Sequence, residues 1–158
     1  MPPMMPPGGG DAMAAPGNLA SRGMRIVGGL IDVVILLVIN GIIVFAVISL
    51  GDARLTPIPP FGWQSGIINL VIDVAYIAYF WSSRGASIGM MPFGFKVRDV
   101  ATGQYPTMGK AVLRGFIWIL EYVLTFFIIG AIGWLWQLWD PQKQAIHDKI
   151  AGTIVTTS

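Results

Sequence analysis

Three acidic residues stand inside the three most apolar stretches of the chain: Asp32, Asp73 and Glu121. A carboxylate in a membrane-spanning helix costs roughly 2.5–3.5 kcal/mol on insertion scales, so each should face protein or water rather than lipid. Asp32 follows Arg25 by seven positions, and Glu121 follows Arg114 by seven. Two helical turns separate each pair, so arginine and acid point the same way. Asp73 precedes Trp81 by eight positions. At ~1.5 Å of rise per residue, all three acids are expected roughly 10–12 Å inside the cytoplasmic boundary, at a shared depth. Arg25, Asp32, Asp73, Arg114 and Glu121 would then form one intramembrane polar cluster. Three readings of such a cluster stay open. It is a buried polar knot, with arginines and Asn40 satisfying the carboxylates. It is a cation or proton site, because clustered acids in low dielectric repel and one of them exchanges its proton. Or one acid pairs with a cation of another subunit.

Other chemistry is poorly supplied. His147 is the one histidine and sits beside Asp148, and Cys is absent, which removes disulfides, thiolate catalysis and Cys-ligated metals. A metal site is not expected from one histidine. A hydrolase would need a placed nucleophile, and no nucleophile elbow of the G-x-S-x-G kind is expected to serve His147; no nucleotide-binding loop of the G-x-x-x-x-G-K-[ST] or G-x-G-x-x-G kind occurs. No catalytic residue, metal or cofactor is therefore expected, and the chain is read as a non-enzyme.

Hydrophobic residues make up 54% of the chain and charged residues 11%. A soluble domain has roughly 25% charged residues, so the composition indicates a membrane protein. The net charge of +2 comes without the basic cluster that a nucleic-acid binder needs. The elements that must position the acids are three spans, at about 26–50, 63–81 and 111–138. Each is apolar over a length that crosses a ~30 Å hydrocarbon core, and Trp63, Tyr79, Trp81, Trp134, Trp136 and Trp139 mark their ends as interfacial aromatics. Gly62 and Gly66 form a small-xxx-small pair near one span end. Residues 1–18 are a Pro/Gly-rich leader, read as disordered or as a strap that docks on a partner. Residues 52–60 are a Pro-rich turn.

Between the second and third spans, FGFKVRDV–ATG–QYPT alternates about a turn and predicts a small cytoplasmic β-hairpin. Pro141 stops the third helix, residues 145–151 form a short helix, and 153–157 is strand-like, an amphipathic C-terminal segment. Arg22, Arg25, Arg84, Lys96, Arg98, Lys110 and Arg114 place the N-terminus and the second loop in the cytoplasm. Three crossings would leave the C-terminus outside. The strand-like tail nevertheless suits pairing with the second loop, which needs the same side, and a broken third span would reconcile the two. The fold expected is an all-α membrane protein with three transmembrane helices, residues 19–158 forming its transmembrane domain.

RIVGGLID in the first span, GASIGMMPFGFKVRDVATGQYPTMGKAVLR in the second loop and WDPQKQAIHDKIAGTIV at the end together resemble the RDD family of small bacterial membrane proteins, from Ala20 to Val155. The resemblance matches Arg25 to the family's arginine and Asp148 to the aspartate of its HD pair. Its other aspartate is Asp32 or Asp140, and Asp32 is favoured for its place in the membrane; Asp140, His147 and Asp148 are carried over as motif residues. The loop departs from the family's GxTxGKxxxGLKVVD pattern: a methionine replaces the lysine, and Arg98 takes an apolar position. The resemblance implies no settled activity. It leaves two jobs: an accessory subunit of a larger membrane transport assembly, for lipid or another bulky solute, or a homo-oligomeric cation/proton exchanger. Expected partners are other membrane subunits and the bilayer of the inner (plasma) membrane, with no nucleic acid.

Overall fold

The computed structural model describes residues 19–50, 62–125 and 129–157. The expected leader strap and the Pro-rich turn at 52–60 lie outside them. Helix α1, Arg22–Leu50, runs unbroken for 29 residues because the stretch has no proline and little but apolar side chains. Helix α2 is Trp63–Arg84. Both are long and apolar enough to cross a membrane. Gly85 ends α2: at φ 67° it takes the left-handed conformation and donates its N–H to the Trp81 carbonyl. A 3-10 turn at Met91–Phe93 leads into strand β1, Phe95–Asp99. Helices α3, Met108–Thr125, and α4, Ile129–Leu135, follow. A 3-10 turn at Trp136–Leu138, helix α5, Ile146–Ala151, and strand β2, Thr153–Thr157, complete the chain.

The third span is not one helix. A Cβ on Gly130 would run into the backbone of Glu121 and Thr125, and one on Gly133 would lie 3.0 Å from the Glu121 carboxylate. In a continuous helix Gly133 would stand ~18 Å beyond Glu121. Helix α4 therefore folds back along α3; Gly130 lets the two backbones touch, and Gly133 leaves room for the Glu121 side chain. The α3–α4 hairpin returns the chain to the end where α3 began: Trp134 packs on Gly29 of α1, and Arg22 donates from Nε to the Gln137 carbonyl at 3.0 Å.

The expected hairpin also changes partner. Strand β1 pairs not with the QYPT segment but with β2, antiparallel, Phe95 opposite Thr157 and Asp99 opposite Thr153. The local turn survives in an Asp99 N–H bond to the Gln104 carbonyl and a Gly103 N–H bond to the Asp99 carbonyl, both at 2.8 Å. Leu19 bridges Thr156 and Ala20 donates to the Val155 carbonyl at 3.0 Å. The start of α1, the α2–β1 loop and the C-terminal strand thus share one end of the molecule, as the pairing of the tail with the second loop and a broken third span require. The core at this end joins Ile77, Ala78 and Trp81 of α2 to Val97, Ala111, Trp118 and Val155. Gly66 has open space around its Cβ position, so no described helix uses the Gly62–Gly66 pair for close approach.

Candidate functional site

Asp148 is completely buried at the N-terminal side of α5. Two arginines converge on it. Arg114, from α3, donates from Nε at 3.0 Å and from Nη2 at 2.6 Å to Oδ1. Arg25, from α1, donates to Oδ2 and also to the Lys143 carbonyl. The Ala145 N–H adds a bond to Oδ2 at 3.1 Å, so the carboxylate also caps its own helix. Burial alone would raise the pKa of Asp148, but the Arg114 and Arg25 guanidiniums outweigh it and hold the carboxyl far below the usual carboxylate range. The Arg114 guanidinium lies 3.8 Å from the Trp81 ring centroid, a face-on cation–π contact. One aspartate thus ties α1, α3 and α5 together, and the tryptophan brings in α2.

Around this pair stand two further carboxylates. Glu121 accepts the His147 backbone N–H at 3.1 Å and lies 2.7 Å from His147 Nδ1, so with Nδ1 protonated the imidazole donates to it. His147 Nε2 is 3.8 Å from Asp148, too far for a hydrogen bond. Asp32 accepts the Ser87 hydroxyl at 2.5 Å and the Gly89 N–H at 2.9 Å. Gly89 is required here: a Cβ would sit 2.8 Å from the Asp32 carboxyl carbon and strike the Gly28 carbonyl. A cavity of about 30 Å³ separates these groups, lined by Arg25, Asp32, Trp81, Arg114, Gln137 and His147 among others. It has room for a water or two. Three atoms of its wall, Arg114 Nη1, Trp81 Nε1 and Gln137 Oε1, are buried without a protein partner.

Asp73 does not join them. Asn40 donates to it at 2.9 Å, and the pair lines a separate cavity of about 50 Å³ with Leu36, Trp118 and Tyr122. Asn40 lies eight residues beyond Asp32 in α1, ~12 Å further along the axis. The expected shared depth of Asp32, Asp73 and Glu121 is thereby corrected. The depth count assumed that the spans begin level. Instead the Ser87–Gly89 loop rises against the first turns of α1 and meets Asp32 there. The expected pairing of the arginines with intramembrane acids changes too, since Arg25 and Arg114 both bond Asp148.

Asp140 accepts the N–H groups of Gln142 at 3.1 Å and Gln144 at 3.0 Å and pairs with Lys149. Burial pushes its pKa up, but these bonds bring it below the ordinary value. Ser87 and Gly89 were not singled out from the sequence, although Gly85-Ala86-Ser87-Ile88-Gly89 carries the G-x-S-x-G spacing of a nucleophile elbow. The context differs from an elbow: Ser87 is wholly buried, follows a helix rather than a strand, and donates to Asp32 rather than to His147. Among the described residues no three of His, Asp and Glu gather to hold a metal ion.

The model of the RDD family matches residues 19–152. The chain is 31% identical over 90 residues to an uncharacterized protein of Rickettsia prowazekii, covering 57% of this chain and 47% of that protein. It is 34% identical over 94 residues to a proline-rich antigen of Mycobacterium leprae, covering 60% of this chain and 34% of the antigen. A proline-rich antigen homolog of Mycobacterium tuberculosis is 30% identical over 92 residues, with 58% and 36% covered. The matched stretch thus spans less than half the length of each of these relatives. No solved structure matches the chain.

Proposed function

The chain belongs to the RDD family, and from that premise we propose that it is a non-enzymatic, multi-pass protein of the inner membrane that serves as an accessory subunit of a larger transport assembly, one that handles lipid or another bulky solute. The observation that carries this reading is the bare apolar face of α1. Leu30, Val34, Leu37, Val38, Ile42, Phe45 and Ile48 are each at least half exposed, along most of the helix. In a bilayer such a face meets lipid or a neighbouring helix, and a helix–helix contact on it forms by close packing. The interior supports the same reading. Three cavities among the described residues, of about 30, 50 and 120 Å³, are each too small to pass a bulky solute, and Arg25 and Arg114 are committed to Asp148.

Photo-crosslinking from Ile42 or Phe45 in native membranes tests the proposal. A stable, stoichiometric membrane partner is the expected product. Recovery of monomer or homo-oligomer alone from mild detergent would sink it.

The Asp73–Asn40 pair favours a second reading, a homo-oligomeric cation/proton exchanger. It sets a carboxylate in the middle of α2 with a neutral partner, beside a small cavity. Proteoliposomes would then show cation-dependent proton flux that Asp73→Asn and Asp32→Asn abolish, and unchanged flux in both variants removes this reading.

A further inference from the structure

Four cations of the chain's common end are paired with acids, and Arg22 and Lys143 donate to backbone carbonyls. Arg25 and Arg114 bond Asp148, Lys110 bonds Asp99 at 2.6 Å, and Lys149 bonds Asp140. Arg84, Lys96 and Arg98 behave differently. Among the described residues none of them has a carboxylate partner, and they are held together by other means. The Lys96 amine donates to the Arg84 carbonyl at 3.0 Å. Lys96 and Arg98 fall on the outer face of β1, because Phe95, Val97 and Asp99 alternate with them and point inward. Both cations stand over one aromatic ring: Lys96 Nζ is 5.9 Å and the Arg98 guanidinium 5.1 Å from the Tyr105 centroid. Tyr105 in turn lies on Gly85, where any Cβ would collide with the ring. The Arg84 guanidinium, at the end of α2, lies 5.7 Å from the Phe80 ring.

We propose that Lys96 and Arg98, gathered on Tyr105, and Arg84, beside Phe80 at the end of α2, form a binding surface for the anionic headgroups of the phospholipid leaflet at that end. The occupant follows from position and charge. The cations stand where a helix long enough to span a membrane stops, and Tyr79, 56% exposed, lies one turn inward as an interfacial aromatic would. Unpaired cations next to a span attract anionic lipid, by about fivefold in affinity for each one. Aromatic rings beneath the cations fix them in place of acids, so the positive charge is displayed and not neutralised. This inference rests on the membrane placement above and is independent of any partner subunit.

The test uses the full chain in mild detergent, with native mass spectrometry of titrated phosphatidylglycerol and phosphatidylcholine. The wild type is expected to prefer phosphatidylglycerol, less so as salt rises. The R84Q/K96Q/R98Q variant should lose about a hundredfold in phosphatidylglycerol affinity and keep its phosphatidylcholine binding. Arg98→Gln alone, on an outward strand position, should lose about fivefold and guards against a triple variant that does not fold. Equal binding of the two lipids by the wild type, or an undiminished preference in the variants, would overturn the proposal. So would displacement of the lipid by glycerol phosphate, which would make the site one for soluble phosphate. An acidic protein lost from the variant while phosphatidylglycerol binding persists would overturn it as well. Carbonate extraction of membranes separates the two failures: a chain that washes out defeats the membrane placement itself, whereas a retained chain without lipid preference defeats only this site.

Discussion

Asp148 shows how much one side chain can organise. It holds two guanidiniums and the N-cap N–H of its own helix, so its removal leaves two buried cations unpaired. Breaking such a pair costs about 3–5 kcal/mol. Asp148→Asn should therefore lower the unfolding temperature in detergent more than Asp73→Asn, whose carboxylate loses only one neutral partner. The acid side of the stability profile has a defined sign. Asp148, Asp99 and Asp140 all have folded pKa values below the ordinary carboxylate value, burial being outweighed by Arg114 and Arg25, by Lys110 and by Lys149. A depressed folded pKa stabilises above the unfolded value of about 3.9 and loses that contribution as pH falls through the lower folded one. Unfolding temperature should hold level from about pH 7 to 5 and drop below about 4, with a shallower drop in Asp148→Asn.

The contact between α1 and the loop after α2 depends on two glycines. Gly28 and Gly89 meet backbone to backbone, and Asp32 caps the contact. A Cβ at Gly28 would stand 3.1 Å from the Gly89 carbonyl, a tight fit, while one at Gly89 meets Asp32 at 2.8 and 2.9 Å. Gly89→Ala is expected to destabilise by about 1–3 kcal/mol, and Gly28→Ala by less. Reduced protection of α1 amides against hydrogen exchange in Gly89→Ala would show the cause. The strand pairing makes a sharper claim. Because Lys96 stands opposite Thr156, cysteines at the two positions bring Cβ atoms within about 4.5–5.5 Å. In a chain free of native Cys they should form an intramolecular disulfide on mild oxidation. Failure to do so would count against this strand register.

The whole molecule reads as two long apolar helices and a folded-back α3–α4 hairpin, sealed at one end by β1, β2 and α5. On the proposed membrane placement, an even number of crossings would put the start of α1, the α2–β1 loop and the C-terminal strand on one side. Cysteines at Gly103 and Thr157 should be labelled by an impermeant maleimide from the same face of sealed vesicles, and a cysteine at Gly62 from the other. Labelling of 103 and 157 from opposite faces would mean that α3 and α4 cross as one helix after all.

Composition and periodicity alone determined the membrane class, two helices long and apolar enough to span, the short helix after Pro141 and the strand-like tail, because each of these follows from a local run of residues. Family membership was legible as well, since three ordered motifs carried it. What only the tertiary structure decided was which groups meet. A count of residues along each helix could not reveal that the loop at Ser87–Gly89 climbs against α1, or that α4 turns back on α3 at Gly130 and Gly133. Those close approaches, the first between backbones far apart in the chain, set the heights of the acids. They leave Asp73 with Asn40 and bring Arg25 and Arg114 to Asp148, a residue that lies beyond all the apolar stretches.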